Sequence, residues 1–214
     1  MSVLRDNWDL IHKGFVETLW LTLWCGVVAL VLGTLLAACR VSPVPPLRWF
    51  GTAYVNIIRN TPLTLLMFFV ALGFPKLDIK FDYFTFAVIA VGGYTAAFIC
   101  EAVRSGINTV PLGQAEAARS LGMTFGQTLS LVVLPQALRA VIPPIGSLLI
   151  AMVRNSAIAG AFNVDELFGV NSTLVENGEN VLWVFLWIAV GYLTITLTLS
   201  AVFALLEKKL AVAR

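Results

Sequence analysis

Five long apolar stretches, residues 15–39, 49–74, 84–103, 138–158 and 181–206, constrain this chain more than any other feature. A bilayer core about 30 Å thick takes roughly 20 helical residues to cross, and each stretch reaches that length with few charges. Backbone amides find no water in hydrocarbon, so stretches of this kind span as helices. With 59% hydrophobic and 12% charged residues among 214, the chain also lies outside the composition of soluble domains. The expectation is an all-α, multi-pass membrane protein with five transmembrane helices, forming one domain over residues 1–214.

Several function classes lose their support at once. A net charge of +2 is too small to point to nucleic acid. The three cysteines, Cys25, Cys39 and Cys100, fall inside apolar stretches without metal-ligand spacing and read as small core residues. The sole histidine, His12, flanks the first stretch, so neither a Ser/His/Asp triad nor a multi-histidine metal site can be built. Leu36-Ala37-Ala38-Cys39 resembles a lipoprotein cleavage box, but the apolar run before it is longer than a signal core and lacks a basic start, so it reads as a membrane anchor. No G-x-x-x-x-G-K-[ST] loop occurs, and any nucleotide work falls to another polypeptide. The chain is expected to catalyse no reaction and to bind no cofactor itself.

Basic residues resist translocation, so their distribution sets orientation. With the amino terminus outside, the inner segments hold Arg40, Arg48, Arg104, Arg119, Arg139, Lys208, Lys209 and Arg214, against Arg5, Lys13, Lys76 and Lys80 on the outer side. The expected topology is N-out/C-in. It places the acids Asp165, Glu166, Glu176 and Glu179 in an outer loop at 159–180, either simply solvated or a surface for a docking partner.

The same topology puts a polar stretch, residues 109–136, on the inner side. Pro111 suits a first helical turn, residues 114–121 are strong helix formers, and Gly122 is a left-handed terminator. Thr124-Phe125-Gly126-Gln127 has the form of a capping box, starting a second helix that Pro135 should bend or end. Small alanines at 115, 117 and 118 allow close approach of a partner, with Glu116 and Arg119 at the rim. An interfacial helix among headgroups is the competing reading, although the large apolar face such helices need is missing.

These residues carry a family resemblance. Glu116-Ala117-Ala118, then Gly122, then Leu134-Pro135 resembles the signature loop of membrane subunits of bacterial ABC importers. Arg59-Asn60-Thr61-Pro62-Leu63, Pro135-Gln136-Ala137-Leu138-Arg139 and Pro143-Pro144 narrow it to the polar amino acid permeases, and runs such as RNTPLTL and GQAEAARSLG look most like glutamate-uptake permeases of actinobacteria. The resemblance implies a type I importer fold in a bacterial plasma membrane, with two ATPase copies below that carry ATP and Mg, and a solute-binding protein outside. It implies a second permease, similar but non-identical, with a homodimer as the alternative. Gln114, Glu116, Ala117, Ala118, Arg119 and Gly122 would form the coupling segment that docks on the ATPase.

The substrate path is sought among polar residues inside the apolar stretches. If Trp49 marks the inner interface, Arg59 lies about 15 Å deep, where an arginine costs about 2.5 to 3.5 kcal/mol. Arg59 is therefore expected to face a cavity, with Thr61 and the kink residue Pro62 beside it; snorkelling to headgroups is the alternative. Arg154, Asn155 and Ser156 follow the prolines of the fourth stretch and suit an anionic substrate such as glutamate, unless Arg154 merely reaches the outer headgroups. Glu101 and Arg104 are spaced as an (i, i+3) pair with no assigned role. An ion-coupled secondary transporter is the rival class, but it calls for repeated halves, of which there is no sign, and for membrane-buried acids, where the sequence offers only Glu17 and Glu101, both near span ends.

Overall fold

A computed structural model describes residues 2–210, and all regular structure among them is helical. Arg214, counted above among the inner charges, lies outside the described residues. After a short α1 (Ser2–Asp6), α2 (Trp8–Val41) runs unbroken because no proline interrupts it, and Ser42 and the prolines at 43, 45 and 46 end it. Its 34 residues measure about 51 Å, more than a bilayer core needs, so its ends project beyond the hydrocarbon.

The second stretch is not one straight span. Pro45 and Pro46 open α3 (Pro45–Asn60), and Thr61, made extended by the proline after it, closes it. The chain then turns by 106° into α4 (Leu63–Leu77). Four helices are long and apolar enough to cross a membrane, or five when α3 and α4 count as one broken span. A sequence reading places a kink at Pro62 but not a right-angle corner, because the missing N–H permits a break without setting its angle.

Asp82 accepts from Thr85 N at 3.3 Å to start α5 (Tyr83–Asn108), which occupies the centre of the bundle. Small residues let its neighbours close in: a Cβ on Gly33 of α2 would meet Ile99 Cβ at 2.7 Å, and one on Gly106 would collide with Val141. Leu21, Cys25, Ala29, Met67, Phe86, Ile99 and Met152 form the main core. All three cysteines are free, and Cys25 and Cys100 are buried as small core residues.

α6 (Leu112–Ser120) and α7 (Phe125–Gly160) follow. α7 continues through Pro135, so the proline does not end the helix. A wide turn over Thr128–Val133 immediately precedes the proline and lets the hydrogen-bond ladder step past the missing N–H. Pro143 and Pro144 also lie inside the helix. Beyond α7 come α8 (Leu167–Glu176) and α9 (Val181–Lys209). Trp20, Trp24, Leu35, Phe185, Leu193 and Leu197 are among many large apolar side chains left exposed on α2 and α9, a surface suited to lipid.

The connection at 159–180 is not an open acidic surface throughout. Glu166 is 0% exposed, Asp165 pairs with Lys13 at 3.1 Å, and Glu179 accepts from Asn7 Nδ2 at 2.7 Å. Glu166 caps α8, accepting from Phe168 N at 2.8 Å and Gly169 N at 2.9 Å, and Tyr192 of α9 donates to its second oxygen.

Candidate functional site

Two polar features stand out from the apolar bundle. The first is the loop at 109–136. Pro111 precedes α6, whose end is a Schellman closure: Met123 N donates to Ala118 O at 3.2 Å and Gly122 N to Arg119 O at 3.0 Å. Gly122 sits at φ +83°, which is why a residue without Cβ stands there. Thr124 and Gln127 make both bonds of the capping box, at 2.9 and 3.3 Å, and so start α7. The turn from α6 into α7 is thus fixed by a capped end on each side of it.

Within α6, Gln114, Glu116, Ala117 and Arg119 are exposed, while Ala118 is buried against the chain itself. The slim face therefore turns inward at position 118 and outward at 117. Leu112, Leu121 and Phe125 are exposed too, the last two by 85% and 77%. These three side chains leave apolar bulk at both ends of α6 that the chain itself does not cover.

The second feature is an arginine node around Glu101. Its carboxylate is held by Arg40 from α2, by Arg104 one turn on at 3.1 Å and by Arg59 at the end of α3 at 3.5 Å. Arg40 is the next-to-last residue of α2, so Arg59 sits at a corner near the α6 end of the bundle. The mid-depth position inferred from counting residues assumed a straight span, and the 106° turn after α3 removes that assumption. The Arg59 guanidinium also lies 5.4 Å from the centre of the Phe98 ring.

Three clefts meet at these side chains. One of about 370 Å³ is bounded by Arg59, Glu101, Ser105, Thr109, Ala140 and Pro144. A second of about 210 Å³ shares Arg59 and adds Asn56, Asn60 and Phe98. A third of about 160 Å³ shares Phe98 and extends past Tyr94 and Met152 to Asn155. Arg59 is a wall of the first two clefts and Phe98 of the last two, so the three lie in series from the α6 end into the bundle.

Of the residues singled out from sequence, Arg59 and Asn155 line this series. Thr61 is half-buried with its hydroxyl donating to Ile57 O at 2.8 Å, and Pro62 makes the corner. Arg154 is exposed, and Ser156 is buried with its hydroxyl donating to Val153 O at 2.7 Å. Phe98 and Arg40 were missed. An aromatic in an apolar span and an arginine at a span end carry no distinguishing signal, whereas the (i, i+3) spacing of Glu101 and Arg104 did mark the node.

Comparison with known proteins decides the class. Residues 29–212 match the model of the binding-protein-dependent transport system inner membrane component family. The chain belongs to that family. It is 41% identical to the glutamate transport system permease protein of Corynebacterium glutamicum, with 99% of both chains covered. It is 39% identical to the probable glutamine ABC transporter permease protein of Bacillus subtilis, covering 98% of this chain and 97% of that one. A crystal structure of an amino acid ABC transporter with histidines matches at a TM-score of 0.91, with 29% identity and 96% of each chain covered. An inward-facing methionine ABC transporter shares the fold at a TM-score of 0.79 and 23% identity. The chain is an amino acid ABC importer permease, a membrane transport component and not an enzyme.

Proposed function

We propose that this permease carries an acidic amino acid, glutamate first, along the series of clefts lined by Arg59, Phe98 and Asn155. The observation that carries the reading is the charge balance of that path: Arg59 faces two of its three clefts, and Glu101, already held by two other arginines, is the one carboxylate among their linings. A cationic substrate would require the opposite balance. Arg154 has no carboxylate within 4.0 Å among the described residues and adds cationic character beside Asn155, on a face that a second permease would complete. Glutamine is the second reading, favoured by the Bacillus subtilis relative and by the amides of Asn56, Asn60 and Asn155.

On this reading the chain sits N-out/C-in in a bacterial plasma membrane, where Arg40, Arg48, Arg104, Arg119 and Arg139 keep the α6 end inside. α6 docks on one copy of an ATPase pair that binds ATP and Mg. A non-identical second permease pairs with this one, and a solute-binding protein delivers substrate at the α8 end. ATP binding closes the ATPases and biases the bundle between two arrangements.

Glutamate-stimulated ATPase activity of the assembled transporter tests the path. Arg154→Ala and Asn155→Ala should each raise the glutamate concentration for half-stimulation, and unchanged stimulation in both would remove them from it. Stimulation of the wild type by glutamine but not by glutamate would select the second reading.

A further inference from the structure

The node around Glu101 holds its three arginines unequally. Arg40 is 11% exposed and bonds the carboxylate directly, and Arg104 reaches it at 3.1 Å from the same helix. Arg59 is 43% exposed and stands off at 3.5 Å, beyond the 2.7 to 2.9 Å of a charge-assisted hydrogen bond. Glu101 is therefore satisfied without Arg59, whereas Arg59 has no second carboxylate within 4.0 Å among the described residues. Both face the 370 Å³ cleft, and Arg59 also faces the 210 Å³ cleft on its other side.

We infer that Glu101 is a resident counter-ion that trades places with the cargo: it neutralises Arg59 when the path is empty, yields it to a carboxylate of the passing amino acid, and takes it back as the cargo leaves. The physics is competition. A lone guanidinium in an apolar bundle is costly, and a substrate carboxylate held by it without a competitor would leave slowly. Two firm arginines pin Glu101 in place, so the competitor is always within reach. The substrate then gains only the difference between its own pairing with Arg59 and the loose pairing it displaces. This suits a path that must release what it binds, and makes Glu101 a specificity-determining residue acting through Arg59.

The inference rests on the reading that Arg59 lines the cargo path, and the test separates the two. Equilibrium binding of radiolabelled L-glutamate and L-glutamine is measured on the assembled, detergent-solubilised transporter without its binding protein, alongside transport turnover in proteoliposomes. Glu101→Gln should lower the Kd of the transported amino acid about fivefold, which is about 1 kcal/mol and the upper range for a part-exposed pair, while turnover falls. In an Arg59→Gln background, Glu101→Gln should leave Kd unchanged. A merely structural role predicts less assembled transporter and no tightening. Glu101→Asp, which shortens the reach toward Arg59 and keeps the charge, should tighten binding less and serves if the glutamine variant does not assemble. A Kd left unchanged or raised by Glu101→Gln or Glu101→Asp while Arg59 is present, or one lowered equally without Arg59, overturns the exchange. Preference of the wild type for glutamine overturns only the acidic-substrate reading, since the α-carboxylate of glutamine would still compete with Glu101.

Discussion

Protonation of Glu166 should set the stability of the segment around α8. This carboxyl lies in the connection after α7, fully buried between Gly160, the start of α8 and Tyr192. Burial pushes its pKa from 4.5 up to about 7, although Tyr192 and the N–H groups of Gly169 and Phe168 pull the other way. At about 1.4 kcal/mol per tenfold change in proton affinity, the charged form is about 3 kcal/mol less favourable here than in water. The sign follows from the raised native value: the docked segment has its full stability below about pH 4.5 and loses it progressively up to about pH 7, after which the curve is flat. Asp165, next to it in sequence, is exposed and paired with Lys13, and adds little. Amide hydrogen exchange of residues 167–176 in the detergent-solubilised protein, corrected for the intrinsic pH dependence of exchange, reads the opening free energy. It should fall by up to about 3 kcal/mol between pH 4.5 and 7.5 in the wild type. Glu166→Gln, whose amide can accept from the α8 amides and donate to Tyr192, should be flat at the low-pH level. A flat wild-type profile, or one equally steep in the glutamine variant, refutes the reasoning.

Three further outcomes follow from the packing. Gly106→Ala drives a Cβ into Val141 at the α5–α7 crossing and should cost about 1 to 3 kcal/mol in thermal unfolding, with partial recovery when Val141→Ala is added; no loss would mean the crossing yields freely. Arg40→Ala frees the end of α2 from Glu101 while Arg104 and Arg59 remain, so it should cost about 1 to 3 kcal/mol, less than stranding a buried charge; a loss above about 4 kcal/mol would show the other two arginines do not compensate. Ala117→Cys, on the exposed side of α6, should cross-link to the partner ATPase in membranes, whereas Ala118→Cys should not; equal yields would contradict the orientation of the helix.

What was legible in the sequence was local. The left-handed Gly122, the capping box from Thr124 to Gln127 and the Glu101–Arg104 pair each depend on residues within a few positions of one another, and each appears as expected. Failures came where a partner distant in sequence decides. Pro135 does not stop α7, because the wide turn before it depends on how residues 128–133 pack against α6. The second stretch is not one straight span, because α3 lies against the end of α2, with Gly51 close to Arg40 and Leu36, before the chain turns by 106° into α4. Glu166 reads as one acid among four in a polar loop, yet Tyr192, 26 positions away, and the close approach at Gly160 bury it. Ala118 turns inward for the same kind of reason, since nothing in an alanine run marks which residue meets the neighbouring turn.

The continuity of α7 also bears on how the two polar features can act together. Its 36 residues extend about 54 Å, from the capping box that fixes α6 to the connection that holds Glu166. Along the way Ala140 and Pro144 bound the first cleft and Leu148, Ala151, Met152 and Asn155 bound the third. Were the helix ended at Pro135, a displacement of α6 would dissipate in a flexible joint. Because it continues, one element connects α6 to both the first and the third cleft, and on the proposed function a shift at α6 would reach both. The wide turn at Thr128–Val133 and the prolines at 143 and 144 are where that element can yield, and they flank the stretch nearest the node. On the proposed function, a bundle built this way would carry a stroke from α6 to the clefts while α5, closely packed against Gly33 and through Gly106, stays in place.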